Sequence, residues 1–136
     1  MAFLGKDDLT AVILLDELEE ITRGDDTMVT AALDSSIEEM KAFLHDSYDV
    51  DDIFGKTGSD RHALLVRYGC DIAVYFLIAR NQAGQELEDR RDRFDRAVRW
   101  LKEVQKSETY SNLKRRVETA QKHIVFGSNP KRSNYF

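Results

Sequence analysis

The residues of this chain that could do chemistry are few, and their spacing assembles no catalytic set. Cys70 is the only cysteine and stands beside Asp71 in the run Tyr68-Gly-Cys-Asp-Ile-Ala-Val-Tyr75. An apolar setting and an adjacent carboxylate both oppose thiolate formation, so Cys70 is expected to pack and not to act as a nucleophile. His45, His62 and His123 have different neighbours, and none has the partner one helical turn away that a helical metal site requires. Asp49-Val-Asp51-Asp52 opens like a calcium loop. The pattern then wants an oxygen ligand where Ile53 stands and glycine where Phe54 stands, which leaves a solvated acidic turn. No pair of carboxylates is set apart for acid–base work. The expectation is a non-enzymatic protein with no catalytic residue, no metal site and no cofactor.

Two charged features are more informative. Asp71 interrupts an otherwise apolar stretch, where a carboxylate costs several kcal/mol unless paired. Arg67 lies one helical turn back, so Asp71 and Arg67 are expected to form a structural ion pair, with the later arginines as the other candidates. The run from Arg90 to Leu101 alternates arginine with aspartate, which marks a salt-bridged helix surface more than a nucleic-acid stripe. Trp100 within it is expected in the core or at an interface. The third feature is a basic, aromatic C-terminal arm. Ile124, Val125 and Phe126 suit a strand added to a neighbour, Lys131 and Arg132 suit an acidic patch, and Tyr135 and Phe136 suit an apolar pocket. These seven residues are the expected partner-binding set.

The elements that must carry these groups are helices. Asp7 and Asp8 precede a stretch through Val12, Ile13, Leu15, Leu18 and Ile21 that stops near Gly24. Asp25-Asp26-Thr27 caps a longer helix whose residues Val29, Leu33, Ile37, Met40, Leu44 and Tyr48 form one buried stripe, with Ser35, Ser36, Glu38, Glu39 and Lys41 largely outside it. Val50, Ile53 and Phe54 tuck onto the core as a turn. Ser59-Asp60 caps a third helix running to about Gly84, apolar on nearly every side and therefore covered on every side. A fourth helix, about Glu86 to Lys106, buries Leu87, Phe94, Val98, Leu101 and Val104. Beyond it the helical period fades, His123 to Phe126 is a short β-type run, and Pro130 is the only proline. The predicted fold class is all-α: about four main helices, a body over residues 1–106, and an extended, partly β-type arm over 107–136.

Length and charge narrow the function. One domain fits 136 residues. The longest apolar run, Ile72 to Ala79, is about half of the roughly 18 residues a membrane span needs, and no secretory leader is evident at Met1-Ala-Phe-Leu. The net charge of −5 conceals a split. Residues 1–60 hold 4 Lys/Arg and 16 Asp/Glu, a net of −12, and residues 61–136 hold 16 and 9, a net of +7. The halves meet either within one monomer or between copies in a head-to-tail assembly. A net acidic chain is a poor ligand for phosphate, so sequence-specific nucleic-acid binding is not expected.

The opening Ala2-Phe-Leu-Gly-Lys-Asp-Asp-Leu-Thr10, the stretch Thr22-Arg-Gly-Asp-Asp-Thr27, the turn from Tyr48 to Phe54 and Thr57-Gly-Ser-Asp-Arg61 resemble a family of small proteins from Mu-like phages and prophages. So do Asp71-Ile-Ala-Val-Tyr75, the run from Arg90 to Leu101 and Gly127-Ser-Asn-Pro-Lys-Arg132. The likeness spans nearly the whole chain, although Ser107 to Gln121 is longer and more basic than it implies. The family is encoded among head and tail morphogenesis genes, and its helical body looks like the head–tail connector (adaptor) proteins that form rings beneath a phage portal. The resemblance implies a virion-assembly protein that forms a homo-oligomeric ring and contacts portal or tail proteins, in the virion or in the host cytoplasm during assembly. The alternative is a small cytoplasmic regulatory or nucleic-acid-associated helical module using the basic second half.

Overall fold

A computed structural model describes residues 2–81 and 87–117. The chain begins with a 3-10 turn, Lys6–Ala11, followed by α1 (Leu15–Thr22) and α2 (Asp26–Leu44). A five-residue helix α3 (Val50–Phe54) and a 3-10 turn Gly58–Asp60 lead into α4 (Ala63–Asn81) and α5 (Leu87–Gln105). Among the described residues there is no strand, only an isolated antiparallel bridge between Tyr48 and Arg115. The all-α expectation therefore holds, with four helices of more than one or two turns.

α4 lies at the centre, packed mainly against α5 and α2, and also against the 3-10 turn and α1. Its sequence explains the position: Leu65, Cys70, Ile72, Ala73, Val74, Leu77 and Ile78 are all buried, on too wide an arc for one neighbour to cover. The stripe predicted on α2 is buried at every position from Val29 to Tyr48. Ser36 is the exception to the polar set beside it, with no exposed surface. Its hydroxyl donates to the Gly69 carbonyl at 2.6 Å, replacing water with a partner on α4. Gly69 sits where the helices come closest. A Cβ there would lie 2.8 Å from Leu4 Cδ1 and Met40 Cε, and both side chains are enclosed in the core.

The first predicted helix is divided. Asp8 Oδ2 accepts from the Gly5 N–H at 2.8 Å, a cap that starts only the 3-10 turn, and the backbone then extends at Leu14 before α1 begins. The division leaves Leu14 and Leu15 exposed. Lys6 Nζ bonds Glu19 at 2.9 Å and Asp26 at 2.8 Å, tying the turn to α1 and α2. α1 stops through Arg23 and then Gly24, both at positive φ, where glycine carries no steric penalty. Asp25 caps α2 by accepting from the Thr27 N–H.

Candidate interaction surfaces

Chemistry is disfavoured at the residues best equipped for it. Burial pushes the Cys70 thiol up to about 12, with the Asp8 and Asp71 charges adding to the effect. At neutral pH it is a packed thiol. Asp49, the head of the acidic turn, is spent as a helix cap, its carboxylate accepting from the Asp52 N–H at 3.2 Å. Among the described residues no group of three histidine, cysteine or carboxylate side chains converges to hold a metal. His62 is a structural residue. Its Nδ1 accepts from the Leu65 N–H at the start of α4, and its Nε2–H donates to the Ser111 carbonyl.

Asp71 is buried at 6% exposure, as its setting in α4 required. The expected ion pair with Arg67 is not formed. Arg67 is exposed, and among the described residues no cation lies within salt-bridge distance of Asp71, whose Oδ1 has no hydrogen-bond partner there. Burial raises the Asp71 pKa above the ordinary carboxylate value, with Arg93 the largest opposing influence, then Arg67, Arg90 and Arg96. The arginines thus act on Asp71 as a field and not as partners. Arg90, buried on α5, turns its Nη1 to the Val12 carbonyl at 2.8 Å.

A pair that the sequence did not announce carries the N-terminal segment. Arg61 Nη1 and Nη2 grip Asp8 Oδ2 and Oδ1 at 2.8 and 3.1 Å, while Nη1 also donates to the Phe3 carbonyl at 2.7 Å and Nε to the Gly58 carbonyl at 2.8 Å. The Arg61 guanidinium holds the Asp8 carboxyl below its usual range, and Asp8 in turn raises Arg61. The contact joins positions 53 apart in the chain, so no local spacing could reveal it.

Residues 107–117, placed with the arm by their lost helical period, lie against the body. Ser107 at φ 60° turns the chain out of α5, and Leu113 and Ser111 are buried beyond it. The Asp49 N–H donates to the Lys114 carbonyl and the Arg116 N–H to the Ser47 carbonyl, both at 3.0 Å. The Arg115 guanidinium sits 4.9 Å from the Tyr48 ring centre, and Lys114 Nζ lies 3.9 Å from Asp49 and from Asp52. The basic Lys114-Arg115-Arg116 cluster therefore fastens a strap onto the acidic turn at residues 45–52. Ile124, Val125, Phe126, Lys131, Arg132, Tyr135 and Phe136 lie outside the described residues.

The remaining acidic surface is not neutralised in this way. Ion pairs between residues 1–60 and 61–117 are confined, among the described residues, to Arg61 with Asp8 and Lys114 with Asp49 and Asp52. Residues 15–44, which cover α1 and α2, hold 9 Asp/Glu against 2 Lys/Arg. Of these carboxylates Asp16, Glu17, Glu20, Asp34 and Glu39 meet no cation within 4.0 Å among the described residues. Between α2 and α4 on this side runs an open groove of about 560 Å³, floored by Met28, Ala32, Phe76 and Leu77. No described helix is long and apolar enough to cross a membrane.

Compared with known proteins, residues 3–125 match the family described as Bacteriophage Mu, Gp36. No curated protein and no solved structure matches the chain.

Proposed function

The chain belongs to the Bacteriophage Mu, Gp36 family of phage proteins, and from that premise we propose that it is a non-enzymatic virion-assembly protein, a head–tail connector (adaptor) whose copies form a ring. In this reading its partners are portal or tail proteins, and it acts in the host cytoplasm during assembly or in the virion. The observation that carries the reading is the acidic surface of α1 and α2. A stretch with 9 carboxylates and 2 cations, most of the carboxylates unpaired among the described residues, is suited to a basic surface on another molecule. The second half of the same chain, net +7, supplies such a surface on every neighbouring copy. A ring built head to tail joins unlike faces of identical subunits, and this charge polarity meets that requirement.

The buried Cys70 and the capping role of Asp49 support a structural part over a catalytic one. Light scattering of the purified chain across concentrations tests the proposal. A connector gives a defined multimer larger than a dimer. A monomer or dimer at every concentration contradicts it and favours the regulatory alternative.

A further inference from the structure

We propose that the groove between α2 and α4 receives the C-terminal segment around Lys131–Phe136 of a second copy of this chain. The proposal rests on the reading that copies assemble, and adds the acceptor site. Grooves are open on the described surface beside the strap, beside the 3-10 turn Lys6–Ala11, and between α2 and α4. The one beside the strap sets Lys56, Arg61 and Lys114 against Asp52 and Asp60, a mixed and slightly basic wall that offers a basic segment no net attraction. The one beside the 3-10 turn is smaller, at about 330 Å³. The groove between α2 and α4 has the opposite character. Its floor and sides are Met28, Ala31, Ala32, Ser35, Phe76 and Leu77, and its single charged lining residue is Glu39.

Glu39 meets no cation within 4.0 Å among the described residues, Glu38 precedes it, and the helix between Asp26 and Leu44 is net acidic. Small side chains at Ala31, Ala32 and Ser35 leave room above the apolar floor.

Residues 118–136 are complementary in both respects. They hold Lys122, Lys131 and Arg132 against Glu118 alone, and they end in Tyr135-Phe136. From Thr27 to Glu39 the groove runs along α2 for about 18 Å at 1.5 Å per residue. An extended chain covers about 3.3 Å per residue, so five or six residues fill it. The six from Lys131 to Phe136 place a basic pair at one end and two aromatics at the other. Tyr135 and Phe136 then cover Phe76 and Leu77, and Lys131 and Arg132 meet Glu39. Aromatic anchors in an apolar groove beside a charged contact form a recurrent energetic centre of protein interfaces.

Site-specific cross-linking of the full chain tests the assignment. Ser35→Cys places a thiol at the exposed edge of the groove, and Tyr135→Cys places one in the segment, while Cys70 is buried and unreactive. The two variants are mixed, treated with a short bismaleimide, and weighed by light scattering before treatment. A covalent dimer in the mixture, exceeding that of either variant alone, is the expected result. Adding Ala31→Arg to the groove partner should lower its yield at least about tenfold through like-charge repulsion. Cross-linking only within single chains of the double variant Ser35→Cys/Tyr135→Cys shows that the segment covers its own body and overturns the proposal. Multimers with no cross-link overturn the groove assignment and leave the connector reading standing. Absence of both multimers and cross-links overturns the two together.

Discussion

Replacing Arg61 with alanine should detach the N-terminal segment from the start of α4. The guanidinium satisfies both Asp8 oxygens and the Phe3 and Gly58 carbonyls, and the Arg61 and Asp8 side chains are only 18% and 19% exposed. Charge-assisted hydrogen bonds contribute about 1.5–3 kcal/mol each when sheltered, and partial exposure moderates that. We expect Arg61→Ala to lose about 3 kcal/mol, with a coupling energy to Asp8→Ala of about 2 kcal/mol in a double-mutant cycle. The coupling should depend on pH in one direction. Asp8 is held below its ordinary value, so its contribution is fully present above the unfolded carboxylate pKa of 3.8 and disappears as pH falls through the lower folded value. Urea unfolding at fixed protein concentration, for the wild type, both single variants and the double variant, measures it at neutral and acidic pH. A coupling below about 0.5 kcal/mol at neutral pH, or one unchanged by acid, would refute the reasoning.

Three further outcomes follow from the same geometry. Asp71 has a raised pKa, so its ionised form opposes folding, and that penalty is absent below pH 3.8 and grows as pH rises towards the folded value. Asp71→Asn should therefore unfold at neutral pH at the same urea concentration as the wild type or higher. A loss of about 3–5 kcal/mol would instead reveal an intact buried ion pair. Cys70, with its pKa pushed up to about 12, should react with a thiol reagent only after unfolding, and rapid labelling of the native chain would contradict its burial. Deleting residues 123–136 should leave the far-ultraviolet circular dichroism of the body intact and abolish assembly. Unfolding on deletion would make those residues part of the monomer's own core.

What was legible in the sequence was whatever repeats locally. The stripe from Val29 to Tyr48 recurs at helical spacing and is buried throughout, and the apolar run of α4 could be placed at the centre because no single neighbour covers so wide an arc. Short-range polarity misled where a distant partner decided the outcome. Ser36 belongs by spacing to a polar set largely outside the buried stripe, yet it is enclosed because the Gly69 carbonyl, 33 positions on, accepts its hydroxyl. Arg67 was paired with Asp71 on spacing alone, but it faces water while the arginines of α5 supply three of the four opposing charges at Asp71. The strap was lost for a similar reason. Residues 107–117 have no period of their own, and their place is set by backbone bonds to Ser47 and Asp49 and by the ring of Tyr48. The groove between α2 and α4 is invisible in either helix separately, since its floor takes Phe76 and Leu77 from one and Met28 and Ala32 from the other.

The central claim is that unlike faces of identical copies join into a ring through complementary charge. Mass measured by light scattering along a salt series tests it most directly. The screening length falls from about 10 Å at 0.1 M salt to about 3 Å at 1 M, so exposed charge pairs lose most of their attraction over that range. The expected result is a defined multimer at low salt that dissociates steadily towards monomer as salt rises. A monomer at every salt concentration, or a multimer of unchanged mass up to about 1 M, would contradict it.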